Sequence, residues 1–219
     1  MTESTALNTK GPKPKLRGVS HLVGTLLAVP AAVALMGIAT DERVRCGVIV
    51  YAICLVMLLG VSAFYHVPMW QPGPRARLRR VDRSMIYVFI AGTYTPLVLV
   101  LGDRIGSAVL PAVWLAALAG IVLTLVGSNL PRYVTATPYV VLGWGAVVIM
   151  PAVKEQFGMV CFWLIAAGGL AYTIGAIAYA RRKPNPWPRV FGYHEIFHML
   201  VLLGAAAHYL AIYVSVQGN

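Results

Sequence analysis

The residues best suited to chemistry are histidines that recur at metal-binding spacing. His194 and His198 are four residues apart, so on a helix their side chains share one face, about 6 Å apart at their origins. Two imidazoles at this spacing can bind one metal ion. His66, from a distant segment, is the best-placed third ligand, and three protein ligands with an open fourth position are typical of catalytic zinc sites. The spacing therefore predicts a buried zinc site.

Two further polar residues, Ser62 and Asp82, are the candidate catalytic residues beside this site. Ser62 precedes His66 by four residues and shares its helical face. Asp82 begins the next apolar segment and could accept a hydrogen bond from a metal-bound water. Both are expected to support the ligands and the water rather than to bind the ion. For Ser62, a hydrogen bond to the backbone of the preceding turn is a nearly equal alternative.

Residues 194–198 (HEIFH) also match the HExxH pattern of zinc peptidases, in which the glutamate is the general base. The chain lacks a further acidic ligand motif of the kind that intramembrane zinc proteases use. Glu195 could equally cap the start of its helix, where a negative charge meets the positive end of the helix dipole. Both interpretations of Glu195 stay open.

The other two histidines, His21 and His208, are predicted to serve packing or hydrogen bonding. His208 lies ten residues after His198, about 15 Å along a helix, which is too far to bind the same ion. His21 lies at the depth of the site but has no companion at ligand spacing.

The composition places these residues in a membrane. The chain has 219 residues, of which 59% are hydrophobic and 11% charged, too few charges for a water-soluble surface. Its net charge of +11 would suit a nucleic-acid binder, but the basic residues lie between long apolar runs rather than on a polar surface. The expected partner is therefore the lipid bilayer and not nucleic acid.

The apolar runs predict the elements that position the site. A membrane helix needs about 17–25 apolar residues, and seven runs meet this requirement. They lie near residues 19–39, 46–68, 84–101, 107–128, 136–153, 159–180 and 195–216. We therefore expect an all-α integral membrane bundle, with a basic tail over residues 1–18 and a transmembrane domain over residues 19–219. Six further spans follow the first, which favours its retention over removal as a signal peptide.

The distribution of Lys and Arg predicts the orientation, because cytoplasmic loops retain positive charge. Most of the 18 basic residues fall on the side of the N-terminal tail: Lys10, Lys13, Lys15, Arg17, Arg75, Arg77, Arg79, Arg80, Arg83, Arg132, Arg181, Arg182, Lys183 and Arg189. The opposite loops hold Arg43, Arg45, Arg104 and Lys154. The N-terminus is therefore predicted to be cytoplasmic and the C-terminus outside, in the plasma (cell inner) membrane.

This topology brings the polar residues to one layer near the cytoplasmic surface. Ser62 and His66 fall at the end of the second span, Asp82 at the start of the third, and His194 and His198 at the start of the seventh. Ionisable groups within membrane helices are costly and usually face the bundle interior. Their convergence therefore favours one shared site over separate hydrogen bonds.

Residues 62–66 (SAFYH), 90–96 (IAGTYTP) and 191–198 (FGYHEIFH) resemble the hemolysin III family within the progestin/adiponectin receptor superfamily. The resemblance covers essentially the whole chain. It implies a seven-helix bundle in which His66, His194 and His198 bind zinc, Asp82 contacts the zinc-bound water and Ser62 supports it. Adiponectin receptors have glutamine at the position of Glu195, which weakens the peptidase interpretation.

Three functions are compatible with this resemblance. Related proteins include ceramidases, so the favoured hypothesis is a zinc-dependent lipid amide hydrolase, in which Asp82 deprotonates a water activated by zinc. The second hypothesis is a non-enzymatic membrane sensor or regulator with structural zinc. The third is a membrane-damaging hemolysin (cytolysis), although multiple retained spans without an export signal disfavour a secreted toxin. The sequence does not identify the lipid substrate or ligand, or the oligomeric state.

Overall fold

The computed structural model describes residues 13–127 and 132–217. Within these residues the chain forms seven α-helices and a short 3-10 helix (Gly145–Val148), and the only β-type pairing is one isolated bridge between Trp187 and Phe191. The α-helices are α1 (Val19–Ile38), α2 (Glu42–His66), α3 (Pro72–Val100), α4 (Asp103–Val126), α5 (Arg132–Trp144), α6 (Met150–Arg181) and α7 (Tyr193–Gln217). The all-α prediction is confirmed for the described residues.

Six of these seven helices are long and apolar enough to cross a membrane, and α5 is too short. The predicted fifth span, residues 136–153, is divided among α5, the 3-10 helix and the first turns of α6. Gly158 interrupts α6 with φ 79°, so the long uninterrupted part of α6 begins where the sixth span was predicted. The hydropathy of a segment does not report such backbone breaks. The seven-span count and the orientation therefore remain predictions.

The centre of the bundle is formed by α3. In the most apolar 18-residue stretch of α3, 72% of the residues are buried, whereas in the corresponding stretch of α4 only 22% are buried. Gly92 allows α2 to approach closely, because a Cβ at this position would lie 2.6 Å from Cys54 Sγ. Large aliphatic side chains such as Leu26 and Leu115 remain exposed on the outer helices. Exposed apolar side chains on long apolar helices are suited to contact with lipid tails.

The segment before α1 ties one end of the bundle together. The backbone N–H groups of Lys15 and Leu16 donate to the carbonyl oxygens of Arg189 and Val190, at 3.1 and 3.2 Å. Lys13 Nζ donates to the carbonyl oxygen of residue 67, at the end of α2, at 2.8 Å. These bonds join the N-terminal segment to α2 and to the loop that precedes α7, which are the elements that carry the predicted site.

Candidate metal centre

The structure brings the three predicted metal ligands together. His66 is the last residue of α2, and His194 and His198 lie in the first two turns of α7. One ring nitrogen of each histidine lies within 4.8 Å of those of the other two. His66 Nε2 and His194 Nε2 are 3.2 Å apart. The convergence follows from topology, because α2 ends at the end of the bundle where α7 begins.

One pair of these nitrogens has a spacing close to that of a tetrahedral zinc site. With Zn–N bonds of about 2.0–2.1 Å, two nitrogens of one tetrahedral site lie roughly 3.3–3.4 Å apart, close to the separation of His66 Nε2 and His194 Nε2. His198 is 2% exposed, and its Nδ1 has no hydrogen-bond partner among the described residues. Buried polar atoms are normally paired, so an unpaired imidazole nitrogen in this cluster is consistent with a metal site.

A carboxylate lies beside the histidines without joining the cluster of ligand atoms. Asp82 Oδ2, on α3, is 3.7 Å from His66 Nε2. Ser62 is buried and, like Asp82, lines the cavity beside the histidines. The Asp82 side chain is 18% exposed, so water can reach it. The structure therefore places both candidate catalytic residues close to the histidine cluster.

Glu195 is occupied in another way, although it stands between two candidate ligands in the sequence. Its Oε2 accepts a hydrogen bond from the Gly192 backbone N–H at 2.8 Å, and its Oε1 accepts one from Arg17 Nε. An acidic residue in the first helical turn that bonds back to the N-cap N–H forms half of a capping box. Both oxygens of this 2% exposed residue are thus engaged, which favours the helix-cap interpretation over the peptidase base.

His21 packs, in keeping with the prediction from the sequence, but its partner is the candidate ligand His198, which the sequence did not indicate. Its ring stacks on His198 with a centroid separation of 3.9 Å and an interplanar angle of 7°. This stacked ring, which is 3% exposed, packs against the cluster. The predicted depth of His21 in the membrane indicated that it lies at the level of the site. Depth does not show which side of α1 faces the site, so the contact with His198 could not be predicted. The Nε2 atom of His208 lies 3.2 Å from the carbonyl oxygen of Ile165, away from the metal centre.

The start of α1 fits closely against His66. Gly18 has φ 85°, a left-handed conformation that only glycine adopts without strain. A Cβ at Gly18 would lie 2.6 Å from His66 Cβ. Because Arg17 contacts Glu195, two consecutive residues connect α1 to both helices that carry the candidate ligands. This contact restricts the position of His66.

The candidate metal centre opens into a large cavity of about 1780 Å³. One part of the cavity wall is apolar and includes Leu58, Phe89, Ile90, Phe162 and Val201. Cationic side chains line the end near the site, namely Lys13, Arg17, Arg75, Arg79, Arg83 and Arg182. Small-molecule pockets usually have about 300–1,000 Å³, so the volume suits a ligand of lipid size.

The helices, the lipid-facing side chains and the buried polar cluster define a multi-pass membrane protein with a candidate metal centre. A family model described as haemolysin-III related matches residues 10–209. The chain therefore belongs to the haemolysin-III-related family, which confirms the resemblance seen in its motifs.

Individual relatives support the same assignment. Hemolysin-3 of Bacillus cereus is 28% identical over 219 residues, covering 97% of this chain and 96% of that protein. The Hemolysin-3 homolog of Bacillus subtilis (strain 168) is 29% identical over 198 residues, covering 89% and 90%. Heptahelical transmembrane protein ADIPOR2 of Oryza sativa subsp. japonica is 40% identical over 76 residues, or 32% of this chain and 29% of that protein. The last match is consistent with the wider progestin/adiponectin receptor superfamily.

Proposed function

We propose that this protein is a zinc-dependent membrane hydrolase that cleaves the amide bond of a lipid. The observation that carries the proposal is a three-histidine cluster with a separate carboxylate beside it, inside a cavity of lipid size. His66, His194 and His198 would hold the zinc ion. A zinc site with three protein ligands leaves one position open for chemistry.

When bound, zinc would supply a Lewis acid that polarises a carbonyl oxygen and activates water near neutral pH. Asp82 would accept a proton from the attacking water at a carboxylate oxygen, as a general base. The same carboxylate would then return the proton to the nitrogen of the departing amine. Ser62 would hold Asp82 in orientation through its hydroxyl. The net reaction adds the elements of water across the C–N bond and gives a carboxylic acid and an amine.

The proposed topology has seven spans with a cytoplasmic N-terminus and an external C-terminus, in the cell inner membrane. The basic residues that start α3 and end α6 support it, because cytoplasmic ends retain positive charge. The site would then lie near the cytoplasmic surface. A reporter inserted near Gln71 should be cytoplasmic, whereas one fused after Asn219 should be external. Finding both reporters on one side would rule out this topology.

A regulator with structural zinc is the second candidate, and one observation favours it. The site connects three helices through Gly18 against His66, Arg17 on Glu195, and the stack of His21 on His198. Zinc bound by these histidines would link α2 to α7 and stabilise the bundle even if the protein catalysed no reaction. The name of the bacterial relatives, Hemolysin-3, leaves membrane damage as a third hypothesis.

Product analysis separates these candidates. Purified protein should release fatty acid from a lipid amide such as ceramide, and a zinc chelator should abolish release. The Asp82→Asn variant should retain zinc and lose the release of fatty acid. If wild-type protein that contains zinc releases no fatty acid from a panel of lipid amides, the hydrolase proposal is wrong and the regulator is favoured.

A further inference from the structure

Three arginines of α3 form a charged row that lines the cavity. Arg75, Arg79 and Arg83 recur every four residues and all three line the cavity. Like charges at this spacing on a helix destabilise it. Within residues 13–127 and 132–217, none of the three forms a salt bridge. Among the described cavity-lining residues, Asp82 beside Arg83 is the one acid that can offset part of the repulsion within this row.

More cations converge on the same end of the cavity from other elements. Lys13, Arg17 and Arg182 also line it, and Asp82 is the only acid among the described residues that do so. Arg17 already pairs with Glu195. Partial burial, followed by the charges of Arg17 and Arg75, lowers the pKa of Lys13, as expected where cations crowd. This end of the cavity thus has an excess of positive charge.

Membrane insertion accounts for cations at this end of the bundle but not for their position on the cavity wall. Arg77 and Arg80 lie on the same helix and serve the positive-inside rule equally well. Neither of them lines the cavity. The three arginines that do are therefore distinguished by placement, and the other two provide a matched control on the same helix.

The face of α3 that carries the arginines becomes apolar further along the helix. Beyond Arg83 the cavity-lining residues of α3 include Ile86, Phe89 and Ile90. Asp82, at the candidate metal centre, directly precedes Arg83 and lies one helical turn before Ile86, where the lining of α3 changes from cationic to apolar. A ligand along the wall would therefore meet Arg75 and Arg79 first, Arg83 and the metal centre next, and apolar side chains beyond them.

We infer that the cationic end of this cavity binds the phosphate headgroup of an anionic membrane lipid whose chains occupy the apolar part. Arginine is well suited to phosphate because its planar donors match the phosphate oxygens. For the bond that is cleaved, the inference rests on the proposed function. The substrate class is then an N-acyl lipid that carries a phosphate, in which the amide lies between the headgroup and the acyl chain. Binding of the headgroup does not itself depend on cleavage.

The test uses two probes that differ only in the phosphate, ceramide 1-phosphate and ceramide. The full-length protein is placed in nanodiscs of zwitterionic phosphatidylcholine, and the affinity for each probe is measured. We expect tighter binding of ceramide 1-phosphate by wild type. The double variant Arg75→Gln/Arg79→Gln should weaken that binding by roughly tenfold or more, since charge-assisted contacts to phosphate are lost. The control Arg77→Gln/Arg80→Gln, with the same change in charge, should bind like wild type.

Three results would overturn the inference: equal affinity for both probes, equal losses in the two double variants, or competition by inorganic phosphate at concentrations comparable to those of ceramide 1-phosphate. The last result would indicate a site for soluble phosphate rather than for a lipid. Zinc content and fatty acid release from both probes are measured on the same samples. Selective binding without release would support the headgroup site while refuting the hydrolase. Equal release from both probes, unaffected by Arg75→Gln/Arg79→Gln, would support the hydrolase and refute the headgroup site.

Discussion

The two sides of the cavity differ in the kinds of contact that hold them and in the regularity of their helices. On the side of the metal centre, α1, α2 and α7 are joined by the Arg17–Glu195 pair, the fit of Gly18 against His66 and the stack of His21 on His198. The opposite side is formed by the short helix α5, the 3-10 helix and the interrupted start of α6.

Hydrogen bonds from two aromatic side chains hold this second side, and no ion pair joins the described residues there. Tyr94 Oη donates to the carbonyl oxygens of Leu142 and Gly143, at 3.0 and 3.1 Å, and Trp144 Nε1 donates to Thr173 Oγ1 at 2.9 Å. Metal ligands require positions fixed within a fraction of an ångström, whereas apolar chains tolerate variation in the wall that encloses them. We infer that the anchored side determines the chemistry and the irregular side determines which chains fit.

The largest effect is expected from loss of a metal ligand. Replacing His66, His194 or His198 by Ala should reduce zinc from one ion per chain to near zero, as measured by elemental analysis. Thermal stability should fall as well, because a ligand that binds only the folded state at 100 times its dissociation constant stabilises by about 2.7 kcal/mol. His208→Ala is the control and should retain zinc. A wild type that lacks zinc but has undiminished stability would contradict the metal site.

The next effect concerns catalysis on the anchored side. Asp82→Asn should retain zinc and lose roughly 10²–10⁴-fold in hydrolysis rate, the usual contribution of a general base. Glu195→Gln should change the rate little, because both of its oxygens serve the helix cap and Arg17. Rates and zinc content are measured on the same preparations. The opposite pattern, with Glu195→Gln inactive and Asp82→Asn active, would assign the base to the HExxH glutamate.

A smaller effect is expected at the contact between α1 and α2. Gly18→Ala introduces a Cβ against His66 and forces alanine into a left-handed conformation, which costs about 1–2 kcal/mol. We expect a lower melting temperature and weaker zinc binding in a competition with a chelator. Gly37→Ala is the matched control, since a Cβ at Gly37 of α1 meets no atom within 4 Å. If both variants retain zinc equally, the fit of Gly18 does not position His66.

The helical period and the topology were sufficient to predict that His66, His194 and His198 lie close together. His194 and His198 share a helical face because they are four residues apart. The order of the spans places His66 at the same depth in the membrane. The role of Glu195 was not readable, because HExxH and a helix cap place the same residue in the same turn. The stack of His21 depends on how α1 is rotated about its axis, and the division of the fifth span depends on backbone breaks such as Gly158. Neither property has a signature in hydropathy.

The smallest effect is expected on the irregular side of the cavity. Trp144→Phe removes the hydrogen bond to Thr173 Oγ1 while keeping an aromatic ring, and Trp144 is 47% exposed. Loss of one such bond should cost about 0.5–1.5 kcal/mol at most, and zinc content should equal that of wild type. If this side selects the chains, the variant should alter the relative rates for lipid amides of different acyl length. Loss of zinc in Trp144→Phe would show that the two sides are coupled, and the proposed division between chemistry and chain selection would be wrong.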